Sequence, residues 1–199
     1  MTIKIGVVVF DDAEELDFVG PWEVFTMATN IQPGAHEVML VAETDKPVRC
    51  AKGLRVLPDV TFENCPKLDV VLIPGGQGTR REVENDTMLG WIAKVAKDCQ
   101  WVTSVCTGAL LLTAAGPAKG KRVTTHWAFV ETLRGRKEAS EVLDNVRYVR
   151  DGNVVTAAGV SAGIDMALWL TGQLHNPKFA RLVQRGMEYD PAPPYEAEV

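Results

Sequence analysis

Short apolar runs rich in β-branched residues alternate along this chain with segments of helical periodicity, and this alternation limits the folds that the chain can adopt. The runs are apolar at nearly every position, which is typical of strands buried on both faces of a parallel sheet. They cover residues 3–10, 36–42, 69–74 and 101–106. Helical patterns cover residues 21–28, 86–97, 107–116, 163–170 and 177–187. The sequence therefore predicts an α/β fold, a flavodoxin-like three-layer sandwich with a mostly parallel sheet.

Turn residues predict two antiparallel hairpins and the start of the first helix. The first covers residues 48–58, a short hairpin or edge region with Gly53 at its turn, and the second covers residues 146–157 with a two-residue Asp151-Gly152 turn. Pro21 suits a first helical position, where its missing N–H is not needed. Residues 11–17 would then form an acidic loop before the helix.

The length and charge of the chain favour some classes of protein over others. The chain has 199 residues and is 46% hydrophobic, enough to bury a continuous core, and we expect residues 1–199 to form a single domain. The net charge of −5 and the absence of a basic stripe disfavour nucleic acid and favour a small-molecule substrate. We find neither a membrane-length apolar run nor a signal peptide, and we expect a cytoplasmic protein that does not bind membranes.

The four cysteines differ in their local setting. They lack C-x-x-C spacing and a histidine cluster, so we expect no metal site, no cofactor and no disulfide framework. Cys106 ends an apolar strand directly before a helix, with small residues behind it, which is the pattern of a nucleophile elbow. The elbow predicts a strained backbone with positive φ, and the helix N-terminus predicts a thiolate near neutral pH. Cys50, Cys65 and Cys99 are interpreted as packing or surface residues.

Three further features follow strands and should open onto the same rim as Cys106. The acidic residues 11–17 offer a carboxyl, Asp17 or Glu15, that could exchange a proton with the thiol. The amides of Gly76 and Thr107 could hold a developing negative charge, although Pro-Gly-Gly after a strand is equally compatible with a tight turn. His126 could serve as a base, although a histidine in this position is more often a packing residue.

Taken together, these motifs resemble the ThiJ/PfpI superfamily, whose fold is similar to class I glutamine amidotransferases. The resemblance spans nearly the whole chain. It rests on residues 14–17 with Gly20-Pro21, and on residues 73–76, 104–109, 124–127 and 159–165. The Cys-His pair of the protease-like branch is missing, which disfavours a peptidase. The missing His-x-Glu of the amidotransferases argues against ammonia transfer.

Within that superfamily the sequence looks most like the isocyanide hydratases, which also carry a Pro-Ala-Pro-Pro tail like residues 191–194. The resemblance implies that Cys106 attacks the terminal carbon of an isocyanide to give a thioimidate, which water releases as an N-substituted formamide. It further implies Asp17 as acid and base, the Gly76 and Thr107 amides as an anion-holding pocket, and a homodimer with the site near the interface. Two alternatives stay open: a ligand- or redox-sensing module related to the sensor domain of AraC-type regulators, and a glyoxalase-like stress protein.

Overall fold

The structure, a computed structural model, describes residues 2–191 of the chain. The strands in that part are β1 (Ile3–Val8), β2 (His36–Ala42), β3 (Val48–Arg49), β4 (Arg55–Val56), β5 (Val60–Thr61), β6 (Val70–Ile73), β7 (Trp101–Val105), β8 (Arg122–Thr124), β9 (Glu141–Leu143), β10 (Tyr148–Asp151) and β11 (Val154–Ala157). The helices are α1 (Glu15–Ile31), α2 (Thr79–Glu82), α3 (Asp86–Val95), α4 (Gly108–Ala115), α5 (Val130–Arg136), α6 (Ala162–Leu174) and α7 (Pro177–Gly186), with a 3-10 turn at Trp127–Phe129.

Seven strands form one sheet in the order β10-β11-β7-β6-β1-β2-β5. All neighbouring pairs in it are parallel except β10 with β11. The chain crosses from β1 to β2 in one direction and from β6 to β7 in the other, so right-handed crossovers place their helices on opposite faces. Helices α1, α6 and α7 contact one another, and α4 contacts α2 and α3. The predicted three-layer α/β fold is confirmed.

The central strands are buried because helices cover both faces of the sheet. Every residue of β6, β7 and β11 is buried. A strand of this kind cannot alternate between apolar and polar residues, which explains the continuous apolar runs of the sequence. Because β1, β6 and β7 are parallel neighbours, their carboxyl ends lie side by side at one edge of the sheet. Loops at that edge can bring functional side chains together.

The first helix begins earlier than predicted. Helix α1 starts at Glu15, and Pro21 lies inside it rather than at its first position. A proline inside a helix costs about 3 kcal/mol. Here the ring is buried and packs beside Gly163 of α6, and we attribute the longer helix to this packing. The correction has a functional consequence, because it moves Asp17 from a loop into the first turn of a helix.

The two predicted hairpins form, but the second has a different turn. Strands β3 and β4 pair antiparallel, with Gly53 at φ 97° in the turn as predicted. In the second hairpin Asp151 pairs with Val154, so the two turn residues are Gly152 and Asn153, one position later than predicted.

Several short elements were not predicted. They include β5 at the sheet edge, the parallel pair β8–β9, and the helices α2 and α5. Residues 192–194 of the predicted tail lie outside the described residues. Within residues 2–191, no helix combines the length and the apolar character needed to cross a membrane.

Candidate active site

Cys106 sits between β7 and α4 on a strained backbone. Its φ is 56°, as the elbow predicted, and a residue with a Cβ rarely adopts this value. Two contacts with β11 and the residue after it fix the conformation, because the Cys106 N–H lies 3.1 Å from the Ala157 carbonyl oxygen and 3.0 Å from that of Ala158. The Thr125 hydroxyl donates to the Cys106 carbonyl at 2.8 Å. The surrounding strands therefore hold the side chain at the sheet edge.

Two glycines allow the elbow to pack against the loop after β6. A Cβ on Gly108 would lie 2.2 Å from the Ile73 carbonyl oxygen. A Cβ on Gly75 would lie 2.5 Å from the Thr107 amide nitrogen and 2.8 Å from the Cys106 Cβ. Both positions require glycine, since no side chain fits so close to the backbone.

Asp17 brings a carboxyl to the elbow from the first turn of α1. The side chain is fully buried, and the Gly75 N–H donates to its Oδ2 at 2.9 Å. Its Oδ1 has no hydrogen-bond partner among the described residues. Burial is the main cause that raises the pKa of Asp17 from 3.8 to about 7. The carboxyl can therefore take up and release a proton near neutral pH.

We expected an Asp17 carboxylate oxygen within hydrogen-bond reach of the Cys106 sulfur, but the Asp17 side chain accepts only the Gly75 N–H among the described residues, and its Oδ1 has no partner. Each of the two groups shifts the pKa of the other. Glu15, the alternative carboxyl, points elsewhere: its Oε1 accepts the Lys52 N–H at 2.6 Å and holds the β3–β4 hairpin against α1. The structure thus favours Asp17 over Glu15 as the partner of the thiol.

The expectation of a resting thiolate is wrong. Burial, followed by the negative charge of Asp17, raises the pKa of the Cys106 thiol from 9.0 to about 12. The Thr107 amide and hydroxyl act in the opposite direction but are the smaller contributions. As the pH rises, the first proton therefore leaves Asp17, and the thiol needs a base when it reacts.

The two amides expected to hold an anion, those of Thr107 and Gly76, have different neighbours. Thr107 follows Cys106, and its amide and hydroxyl lower the pKa of the Cys106 thiol, while the hydroxyl also donates to the Gly76 carbonyl oxygen at 3.3 Å. The Gly76 N–H instead donates to the Thr107 Oγ1 at 3.1 Å. In this structure Gly76 therefore supports the Thr107 hydroxyl and does not offer a free amide.

His126 and Trp127 lie beside the elbow in a different role. The His126 Nδ1 accepts the Ala128 N–H at 3.2 Å and caps the 3-10 turn, and its ring packs on Gly159. These contacts support the packing interpretation of His126. The Trp127 side chain is 81% exposed. With residues 124–125, 144–147 and 158–160 they line a groove of about 380 Å³, and two of the lining residues, Thr125 and Ala158, contact the Cys106 backbone.

The other three cysteines have packing roles. Cys50 is buried next to the β3–β4 turn, and burial raises the pKa of its thiol to about 11. Cys65 and Cys99 precede β6 and β7, so they lie at the opposite edge of the parallel sheet from Cys106. Among the four cysteines, Cys106 alone combines a strained elbow with a neighbouring buried carboxyl.

Fold and site together define an α/β protein with a cysteine elbow and a buried acidic partner. The DJ-1/PfpI family model matches residues 3–173, and the chain belongs to that family. It is 43% identical over 197 residues to the isonitrile hydratase of Pseudomonas putida, covering 99% of this chain and 83% of the relative.

Two further comparisons agree with this family. A crystal structure of a ThiJ/PfpI family protein from Pseudomonas syringae superposes with a TM-score of 0.90 at 33% identity, covering all of this chain and 80% of the other. The glutathione-independent glyoxalase DJR-1.2 of Caenorhabditis elegans is 26% identical over 170 residues, covering 84% of this chain and 86% of the relative. The likeness to the hydratase and the family model support an enzyme of this family.

Proposed function

We propose that this protein hydrates an isocyanide, R–N≡C, to an N-substituted formamide through a thioimidate on Cys106. The observation that carries the proposal is the fully buried Asp17 carboxyl, with its pKa raised to about 7, beside the thiol on its strained elbow. A group with this pKa can act as a base in one step and as an acid in the next. The 43% identity to an isonitrile hydratase supports the substrate class.

The first half of the reaction forms the carbon–sulfur bond. The Asp17 carboxylate takes the thiol proton while the Cys106 sulfur attacks the terminal carbon of the isocyanide. Asp17 then returns that proton to the same carbon, which gives R–N=CH–S–Cys106. The Thr107 N–H and hydroxyl, which lower the pKa of the thiol, stabilise the sulfur anion during the attack. The Gly76 amide acts through the Thr107 hydroxyl that it holds.

The second half releases the product. Water adds to the thioimidate carbon, and the Asp17 carboxylate takes one water proton and passes it to the imine nitrogen. The carbon–sulfur bond then breaks while the remaining hydroxyl proton passes through Asp17 to the sulfur, and R–NH–CHO leaves. Atoms balance as one isocyanide and one water for one formamide, and neither an oxidant nor a cofactor is consumed.

The substituent R has a suitable place beside the elbow. The groove lined by His126 and Trp127 starts next to the Cys106 backbone and offers aromatic surface. An apolar substituent would fit this surface better than a charged one, because aromatic side chains bury apolar area.

The active form is proposed to be a homodimer with the site near its interface. Leu16 and Val19 lie almost one turn apart on α1, on either side of Asp17 in the sequence, and both are 38% exposed. Trp127 is also strongly exposed. A second copy of the chain would cover this apolar surface. Sedimentation equilibrium is expected to give twice the chain mass, and a monomer mass would contradict the proposal.

Turnover of a panel of isocyanides, with methylglyoxal alongside, tests the function. Formamide should form with the unmodified enzyme and fall by about 10³-fold or more in Cys106→Ala. Cys65→Ala, at the opposite edge of the sheet, is the matched control and should retain activity. Formamide formation that survives Cys106→Ala would contradict the proposal.

A glyoxalase is the second candidate, favoured by the similarity to a glyoxalase relative over 84% of this chain. The same thiol would then attack an aldehyde carbon. Conversion of methylglyoxal to lactate that depends on Cys106, without any formamide from the isocyanides, would favour this reaction.

A further inference from the structure

Arg80 reaches from the start of α2 to the backbone that supports the elbow. Its Nη1 donates to the Gly76 carbonyl oxygen at 2.8 Å. The Thr107 hydroxyl donates to the same oxygen at 3.3 Å, so Nη1 and this hydroxyl lie within about 6 Å of each other. Thr107 directly follows Cys106 in the chain. The guanidinium therefore places a positive charge close to the nucleophile.

A second contact fixes the orientation of the Arg80 guanidinium. Its Cζ lies 4.3 Å from the centroid of the Phe129 ring, in the arrangement of a cation–π pair. Gly76 belongs to the loop after β6, and Phe129 belongs to the 3-10 turn after β8. Because two separate segments hold the guanidinium, it is positioned before a ligand arrives, and binding the ligand costs less side-chain entropy.

Most of the hydrogen-bond donors of Arg80 are unused. The side chain is exposed, and its Nε and Nη2 donate to no group in the part of the chain that the structure describes. No carboxylate in that part forms an ion pair with it, whereas the next residue, Arg81, pairs with Asp12 and Glu82. The Nε and Nη2 edge of a guanidinium is a fork that can bind a carboxylate through two hydrogen bonds. Arg80 therefore offers an open site for an anion.

The His126 ring connects this guanidinium to the aromatic groove. The centroid of that ring lies 6.2 Å from the Phe129 centroid and 5.5 Å from the Trp127 centroid. His126 and Trp127 line the groove, whereas Phe129 and Arg80 lie outside it. The elbow thus has two neighbouring features that could bind different parts of one molecule: an aromatic groove and a guanidinium.

We propose that Arg80 binds a carboxylate of the substrate, and that the substrate is an α-isocyano carboxylate with an apolar side chain. In such a molecule one carbon atom carries the isocyano group, the carboxylate and the side chain. The terminal isocyano carbon meets the Cys106 sulfur, the carboxylate binds the guanidinium, and the side chain lies in the groove. The substrate class rests on the proposed hydration reaction, whereas the binding of a carboxylate by Arg80 does not.

Competition between iodoacetate and iodoacetamide for Cys106 tests the guanidinium without any isocyanide. Both reagents lose iodide to the same thiolate, so the ratio of their products does not depend on the pKa of the thiol. Only iodoacetate carries a carboxylate. The ratio of carboxymethylated to carbamidomethylated Cys106, read by peptide mass analysis, should fall about fivefold in Arg80→Gln. The same ratio on Cys65, at the opposite edge of the sheet, is the internal reference and should not change.

The neighbouring arginine provides the matched control. Arg81→Gln removes the same charge from the next residue of α2 and should leave the Cys106 product ratio within about twofold, because that guanidinium is already paired. Arg80→Met keeps an apolar stem against Phe129 and replaces the glutamine variant if that variant does not fold. The inference is overturned if a folded Arg80 variant keeps the original ratio, or if Arg81→Gln lowers the ratio as much.

Turnover of 2-isocyano-3-phenylpropanoate and of its methyl ester tests the substrate class. The unmodified enzyme should show a kcat/KM about tenfold higher for the carboxylate than for the ester, and Arg80→Gln should reduce this preference to about twofold or less. General damage to the site would lower both values together and leave their ratio unchanged. Equal kcat/KM values for the carboxylate and the ester in the unmodified enzyme would overturn the substrate class.

These outcomes are distinguishable from failure of the proposed function. If no isocyanide is turned over but the product ratio on Cys106 depends on Arg80, the carboxylate site stands and the proposed reaction is wrong. If isocyanides are hydrated through Cys106 but the product ratio is indifferent to Arg80, the reaction stands and the carboxylate site is wrong.

Discussion

A buried histidine pair outside the site should lose its contribution to stability as the pH falls. His36 is 4% exposed, its Nδ1 lies 3.1 Å from the Phe25 carbonyl oxygen, and its Nε2 lies 2.9 Å from the His175 Nε2. A carbonyl oxygen can only accept, so Nδ1 of His36 carries the proton and its Nε2 accepts from His175. A second proton on His36 would force His175 to move its own proton to Nδ1 so that its Nε2 could accept.

The magnitude follows from the pKa of His36. Burial lowers this pKa from 6.5 to about 4. The unfolded chain takes up the proton near pH 6.5, whereas the folded chain resists until about pH 4, so stability present above pH 6.5 is lost as the pH falls. At about 1.4 kcal/mol per pKa unit, the loss is about 3 kcal/mol.

Asp17 has the opposite effect in an overlapping pH range. Its pKa is raised from 3.8 to about 7, so the folded chain keeps this proton where the unfolded chain has lost it. That contribution stabilises at low pH and is lost as the pH rises through about 7. The unmodified protein therefore shows the sum of two opposing slopes, and a substitution is needed to reveal either one.

Urea unfolding of the unmodified protein and of His36→Asn, from about pH 7.5 to about pH 4.5, isolates the histidine. The asparagine amide keeps a donor for the Phe25 carbonyl oxygen. At each pH we subtract the unfolding free energy of the variant from that of the unmodified protein. This difference should fall by about 2.5 kcal/mol as the pH is lowered over this range. His126→Asn is the control and should give a smaller change, because that ring is partly exposed. A His36 difference that does not vary with pH would refute the reasoning.

Three other substitutions have defined outcomes. Gly75→Ala would place a Cβ 2.5 Å from the Thr107 amide nitrogen and should cost about 2 to 4 kcal/mol of unfolding free energy in urea, with loss of turnover. Gly90→Ala, with no atom within 4 Å of its Cβ, is the matched change in a helix interior and should be neutral or stabilise by up to about 1 kcal/mol. Asp17→Asn removes a charge that raises the pKa of Cys106, so iodoacetamide should react faster at about pH 8 while formamide production falls by about 100-fold or more.

Much of the fold could be predicted because buried parallel strands and glycine turns have recognisable local sequence patterns. The predicted strand at residues 36–42 matches β2, and the apolar run ending at Cys106 gave the elbow with its positive φ. Elements of two to four residues, such as β5 and α2, carry too little periodicity to be read and form through tertiary contacts. The start of α1 was misplaced for a similar reason, since the packing of Pro21 against α6 cannot be seen in the sequence.

The sequence was enough to predict which residues form the candidate site. It was not enough to predict which of them carry a proton. Strand order brings Asp17 and Cys106 together, and the sequence indicated both. The pKa values depend on burial and on mutual charge, which arise only in three dimensions, so the expected thiolate was wrong.

The covalent intermediate tests the central claim most directly. The enzyme would be mixed with an alkyl isocyanide, quenched with acid during turnover, and digested for peptide mass analysis. The account predicts that the peptide with Cys106 gains the mass of one isocyanide, as expected for R–N=CH–S, and that the peptides with Cys50, Cys65 and Cys99 do not. Formamide production with no such adduct on Cys106, or with the adduct on another cysteine, would contradict it.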